Sequence, residues 1–132
     1  MRKSLATSVF LEKNISGQII AIHGDGKQTR CYTHVDDIAS GICIVAGSIN
    51  VPKIINISDD IPYSVNDLII VINDITGLKS NVKYVEDRAG QIRSSRINSN
   101  LLKSLGWNPN WSLATGLADC FNKLKSKELS EL

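Results

Sequence analysis

The residues with the widest chemical range in this chain are two histidines, three cysteines and a set of dispersed arginines. His23, Cys31 and His34 could supply metal ligands, as a Cys-x-x-His pair with one more distant nitrogen. They stand among β-prone residues, where a strand or turn role is the simpler account, and no metal site is expected. Cys43 and Cys120 are scattered and no Cys-x-x-Cys occurs, which argues against a disulfide framework or a zinc knuckle and for reduced thiols in a cytoplasmic protein. No Gly-x-Ser-x-Gly elbow exists to support a Ser-His-Asp triad. The stretch "GDGKQT" lacks the spacing of a phosphate-binding P-loop, and no Gly-x-Gly-x-x-Gly dinucleotide fingerprint is present. Binding chemistry remains. Arg30 stands just after a glycine turn and Arg88 lies in the loop "DRAGQIR". The planar guanidinium matches phosphate oxygens, and hydrogen bonds to charged groups contribute about 1.5–3 kcal/mol each. Two such arginines from separate loops could clamp a diphosphate. On residue type alone, a solvated or salt-bridged surface arginine is the simpler account.

Bulk properties narrow the partners. The 132 residues suffice for one domain, and 42% hydrophobic with 21% charged content is that of a soluble globule. A net charge of +2 gives no argument for nucleic acid or a membrane surface. The distribution is uneven: no acidic residue falls between Asp87 and Asp119, whereas Arg88, Arg93, Arg96 and Lys103 do. That segment is either a solvated basic face or part of a pocket for an anion, and Arg93 and Arg96 are read as solvated. The N-terminal "MRKSLATSVFLEKN" lacks the unbroken apolar stretch of a signal peptide. The longest aliphatic run, "LIIVI", is far too short to cross a bilayer.

The positions of these residues depend on the elements between them. Leu5, Val9 and Phe10 suggest an amphipathic first helix. "IIAI" reads as a strand, "HGDGK" as a tight turn, and "RCYTHV" as a possible return strand. Asp36 and Asp37 stand where a helix N-terminus favours carboxylates, as cap and against the dipole, before "DIASGICIVAG". "KIINIS" has the composition of a buried strand. Ser64 and Asp67 form a capping-box pair before "LIIVINDIT", with Gly77 as the stop. "NVKYV" is a further strand, "EDRAGQIRSSR" a loop, "NSNLLKSLG" a short helix, and "WNPNW" a turn in which both tryptophans pack. Ser112 caps a last helix, and residues 126–132 are expected to fray. Alternating helices and strands predict an α/β class.

Taken together, "IAIHGDGKQTRCYTHVDDIASGI", "INISDDIPYSVNDL", "YVEDRAGQIR" and "LGWNPNWSLATGL" resemble the C-terminal portion of the NAD-dependent epimerases and dehydratases. These are extended short-chain dehydrogenases acting on nucleotide sugars, such as UDP-glucose 4-epimerase and UDP-glucuronate decarboxylase. The resemblance runs from about Phe10 to Phe121, with the motifs in the same order and spacing. It implies an α/β fold lacking the N-terminal Rossmann core, which in the full-length family carries NAD and a Tyr-x-x-x-Lys pair. Four residues after Tyr32, Tyr63 and Tyr84 stand Asp36, Asp67 and Arg88, so that pair is not encoded here. No catalytic residue and no cofactor site are expected in this chain.

The resemblance also assigns substrate-binding roles. Ala21 and His23 line the base, Arg30 contacts the diphosphate with Tyr32 beside it, and Val65 packs near the base. Arg88 grips the diphosphate from the second loop. Gln91 stands where the family has an aspartate that meets the ribose, Ala89 replaces a usual proline, and Cys31 and Ile97 stand at positions where aspartate is common. The implied ligand is a UDP- or dTDP-linked sugar. Three roles are open: part of an incomplete or split enzyme, a stand-alone nucleotide-sugar binding module, or a subunit completing a separately encoded Rossmann half. An uncovered apolar face on residues 5 to 11 and on "IIAI" is expected to promote self-association.

Overall fold

The structure, a computed structural model, describes residues 5–130. Helix α1 (Ala6–Ile15) leads into strand β1 (Ile20–His23), and the glycine turn connects it to β2 (Thr29–Cys31). Helix α2 (Val35–Gly47) comes next, then an irregular stretch, β3 (Pro62–Ser64), α3 (Val65–Thr76) and β4 (Val82–Val85). The chain ends in α4 (Asn100–Ser104) and α5 (Leu113–Ser130). β1 pairs in parallel with β4, and β2 pairs antiparallel with β3. The expected α/β class is present, and its parallel pair is joined through intervening helices. The return strand does not form a hairpin with β1: Arg30 sits opposite Tyr63, and β2 ends at Cys31.

Helix α3 is apolar on two faces because it serves two cores. Leu68 and Ile72 pack with Leu11 of α1 and with Leu113, Leu117 and Phe121 of α5. Val65 and Ile69, one turn apart on the adjacent face, pack with Ile20 and Ile22 of β1. Full burial of such a side chain stabilises by about 1.5–3 kcal/mol, so the "LIIVI" run is the centre of the fold. Its ends are set by local chemistry. Ser64 and Asp67 form the reciprocal capping box, and Gly77 takes the left-handed conformation at φ 70°.

Three expectations need correction. "KIINIS" is not a strand: it pairs with no strand among the described residues, and Ile54 is 83% exposed. Its apolar content satisfied composition without a partner to receive the ladder. Asp37 does not cap its own helix. His34 is the N-cap, its Nδ1 accepting from the Asp36 amide. The buried Asp37 carboxylate instead accepts from the amides of Asn110 (2.9 Å) and Trp111 (3.1 Å). Trp107 answers by donating its indole N–H to the Asp37 carbonyl at 2.9 Å. Finally, Arg93 is not simply solvated, because its guanidinium pairs with Asp25 of the glycine turn.

The expected apolar exposure is split at β1: Ile20 and Ile22 are buried, whereas Ile19, just before the strand, is 51% exposed. More apolar surface lies on α2 and just beyond it, at Val35, Ile42 and Ile49. The tail expected to fray is helical as far as Ser130, and residues 131 and 132 lie outside the described residues.

Replacing Ser64 by alanine should lower the unfolding free energy by about 1 kcal/mol in urea denaturation. Hydrogen bonds from the Ser64 side chain and backbone hold the Asp67 carboxyl below its usual range. A group depressed in the folded state contributes stability that is present above its unfolded-state pKa and is lost as pH falls through the folded-state value. The deficit of Ser64→Ala against the wild type should therefore narrow as the pH is lowered through the carboxylate range.

Candidate functional site

The glycine turn is shaped by contacts that set the direction of the chain beyond it. Gly24 and Gly26 have φ of 77° and 73°, which favours glycine at both. A Cβ on Gly26 would collide with the Asn66 side chain. That side chain is itself held, donating to the Asp25 carbonyl and accepting from the Tyr84 hydroxyl. The amides of Val65 and Asn66, at the start of α3, donate to the carbonyls of Gln28 and Gly26. The turn and the helix N-terminus therefore fix each other, and β2 leaves the turn in a set direction.

Between this turn, α1 and the loop after β4 lies a cleft of about 640 Å³. Six of the seven expected substrate-binding residues line it: His23, Arg30, Tyr32, Val65, Arg88 and Gln91. Ala21 does not. Strand alternation buries Ile20 and Ile22 and turns Ala21 outward, away from the cleft. His23, the last residue of β1, reaches the cleft from the strand end. Val9, Phe10 and Ile22 add apolar wall that sequence reasoning did not assign to the site.

Gln28 is a further residue missed. It is 7% exposed and lines the cleft. Its Nε2 donates to the His23 carbonyl at 3.0 Å, which fixes the amide orientation, and its buried Oε1 has no hydrogen-bond partner among the described residues. A buried acceptor left unpaired is unfavourable by about 1–3 kcal/mol. The sequence signal was a polar residue directly between a structured turn and a short strand.

The charges sort into two groups. Arg93 bonds Asp25 at 2.8 Å and lies 3.3 Å from Asp87, and Lys103 bonds Asp60 at 2.9 Å. Acidic residues from elsewhere in the chain thus balance part of the basic segment. Arg30 and Arg88 have no carboxylate partner among the described residues. Arg30 Nη1 donates to the neighbouring Thr29 carbonyl at 2.7 Å, and Arg88 Nη2 lies 2.9 Å from His23 Nε2. Burial pushes the Tyr32 phenol up in pKa, and the charge of Arg30 draws it partly back. The cleft therefore presents two cationic groups without internal counter-charge, an apolar wall and two amide side chains.

A smaller cavity, about 280 Å³, lies between α1, β2 and α5 and shares Tyr32 with the cleft. Cys31, Cys120 and His34 line it. His34 stacks on Trp111 with ring centroids 4.0 Å apart, so Trp111 packs within the fold, as does the buried Trp107. Among the described residues no group of three His, Cys, Asp or Glu could hold a metal, and no helix is long and apolar enough to cross a membrane.

No protein-family model matches the chain. Individual proteins do. A dTDP-glucose 4,6-dehydratase of Streptomyces griseus is 32% identical over 111 residues, which is 83% of this chain and 34% of that protein. A UDP-glucose 4-epimerase of Mycolicibacterium smegmatis is 28% identical over 121 residues, 91% of this chain and 39% of that protein. Among solved structures, a UDP-glucose 4-epimerase of Thermotoga maritima with UDP-glucose superposes with a TM-score of 0.81 at 30% identity, covering 91% of this chain and 40% of that one. MoeE5 in complex with UDP-glucuronic acid and NAD gives 0.81 at 28% identity, covering 89% and 40%. In sequence and in fold the chain is a relative of the NAD-dependent epimerase/dehydratase family. It spans between about a third and two fifths of the length of these proteins.

Gly26→Ala should destabilise the chain by about 1–3 kcal/mol in denaturant unfolding, through both the left-handed φ and the collision with Asn66. Gly90 shares a positive φ of 75° but has open space where a Cβ would go. Gly90→Ala should therefore be the milder change. Equal losses would show that the seat of the turn on α3 contributes nothing.

Proposed function

We propose that the chain is the nucleotide-sugar-binding portion of an NAD-dependent epimerase or dehydratase, and that the cleft takes the nucleotide diphosphate of a UDP- or dTDP-linked sugar. The observation that carries this reading is the pair of arginines, Arg30 on β2 and Arg88 in the loop after β4, which face one cleft without a carboxylate partner among the described residues. Each guanidinium offers a fork of donors to phosphate oxygens. Val65 and the ring face of His23 would lie against the base, Tyr32 beside the diphosphate, and Gln91 at the ribose, where its neutral amide replaces a carboxylate. NAD and the proton chemistry would belong to a Rossmann portion outside these residues, so the reaction, whether epimerisation, dehydration or decarboxylation, would be completed there. A cytoplasmic setting with reduced cysteines goes with this reading.

The apolar stripe of Val35, Ile42 and Ile49 favours a second reading, in which a separately encoded Rossmann half, or a second copy, covers that surface.

Replacing Arg30 or Arg88 by alanine should weaken binding of a UDP-sugar by about 1.5–3 kcal/mol, or roughly ten- to a hundredfold. Lysine should restore only part, because a point charge does not reproduce the fork. Binding of uridine, which lacks the diphosphate, should change little. Calorimetric titration of wild type and variants against both ligands decides the matter. UDP-sugar affinity unaltered by both substitutions, or uridine affected as strongly, would overturn the clamp. The same preparation should carry no nicotinamide cofactor and turn over neither UDP-glucose nor UDP-glucuronate. Stoichiometric NAD would contradict the proposal.

A further inference from the structure

We infer that His23 is a positioning residue for Arg88, aiming its guanidinium into the cleft through the neutral Nδ1–H tautomer of the imidazole. This rests on the diphosphate reading of the cleft. The geometry admits one arrangement of protons. His23 Nδ1 lies 3.1 Å from the carbonyl oxygen of Glu86, which only accepts, so Nδ1 carries the hydrogen. His23 Nε2 lies 2.9 Å from Arg88 Nη2, which only donates, so Nε2 presents its lone pair. A ring protonated on both nitrogens would set a cation against the guanidinium at that distance.

The surroundings leave His23 as the one fixed partner of that guanidinium among the described residues. Asp87, next in sequence, is engaged elsewhere: its carboxylate accepts from the Arg88 backbone amide at 2.9 Å and lies 3.3 Å from Arg93. The ring is itself held in place. His23 pairs with Val85 across the parallel ladder, its carbonyl accepts from Gln28, and the next amide, of Gly24, donates to Val85 at 2.9 Å. Arg88 stands in an exposed loop, and a long side chain there would otherwise lose its rotamer freedom only on binding. His23 removes part of that loss in advance. Ring edge and ring face then serve different ends: Nδ1 is tied to Glu86, Nε2 holds Arg88, and the face stays available to the cleft.

The test uses the full chain, with UDP and uridine as probes. His23→Phe keeps a ring face and removes the acceptor, whereas His23→Gln keeps an acceptor near the Nε2 position. His23→Phe should weaken UDP binding about three- to tenfold while uridine binding stays within about twofold. His23→Gln should restore most of the preference for UDP over uridine, while its missing ring face weakens both ligands alike. In an Arg88→Ala background, His23→Phe should add nothing further, since the two residues act as one unit. Nitrogen NMR of the wild-type ring should show Nδ1 protonated and Nε2 bare. A ring with hydrogen on Nε2, an equal loss for uridine, or losses that add with Arg88→Ala would each overturn the positioning role and leave the diphosphate reading standing. No binding of UDP by the wild-type chain would remove both.

Discussion

The mutual seating of the glycine turn and the N-terminus of α3 is the constraint on which the rest depends. A helix begins with amides that have no partner within it. Here two of them, from Val65 and Asn66, are satisfied by carbonyls of the turn, and the amide of Asp67 by the Ser64 hydroxyl. The same contact orients β2, which carries Arg30, and holds Gln28 against the end of β1. Because α3 also joins the two apolar cores, the cleft wall is an extension of a helix packed on both of them. A binding surface built this way is held by packing rather than by loop contacts alone.

Two long-range polar devices complete the frame. Asp37 ties α2 to the turn before α5, with Trp107 returning a hydrogen bond to its carbonyl. Arg93 ties the loop after β4 to the glycine turn through Asp25, with Asp87 alongside. The second device places Arg88 in a loop that is anchored on either side of it. It also engages the Asp25 and Asp87 carboxylates, and neither pairs with the Arg88 guanidinium.

What could be read from the sequence divides by the range of the interaction. The capping box of Ser64 and Asp67 and the stop at Gly77 involve neighbours within a turn, and both are present. The strands "IIAI" and "NVKYV" carried their own alternation or β-branching. The cleft residues came from motif resemblance, and the fold brings six of the seven together. Ala21 lies outside the cleft because a strand sends adjacent side chains to opposite faces, which a motif by itself does not register. Asp37 and Arg93 were misread because their partners lie 73 and 68 residues away. "KIINIS" was misread because apolar composition reports burial tendency and not the presence of a neighbouring strand. Gln28 was passed over because an unpaired buried oxygen is visible only once the surrounding atoms are placed.

The most direct test of the central claim, that this cleft is a nucleotide-diphosphate site, is an amide NMR titration of the isotopically labelled chain with UDP-glucose. The account predicts saturable shifts confined to the cleft, at Arg30, Tyr32, Val65 and the loop from Arg88 to Gln91, with Ala21 and α2 unmoved. The absence of shifts, or shifts centred on the smaller cavity at Gly116 and Cys120, would contradict it.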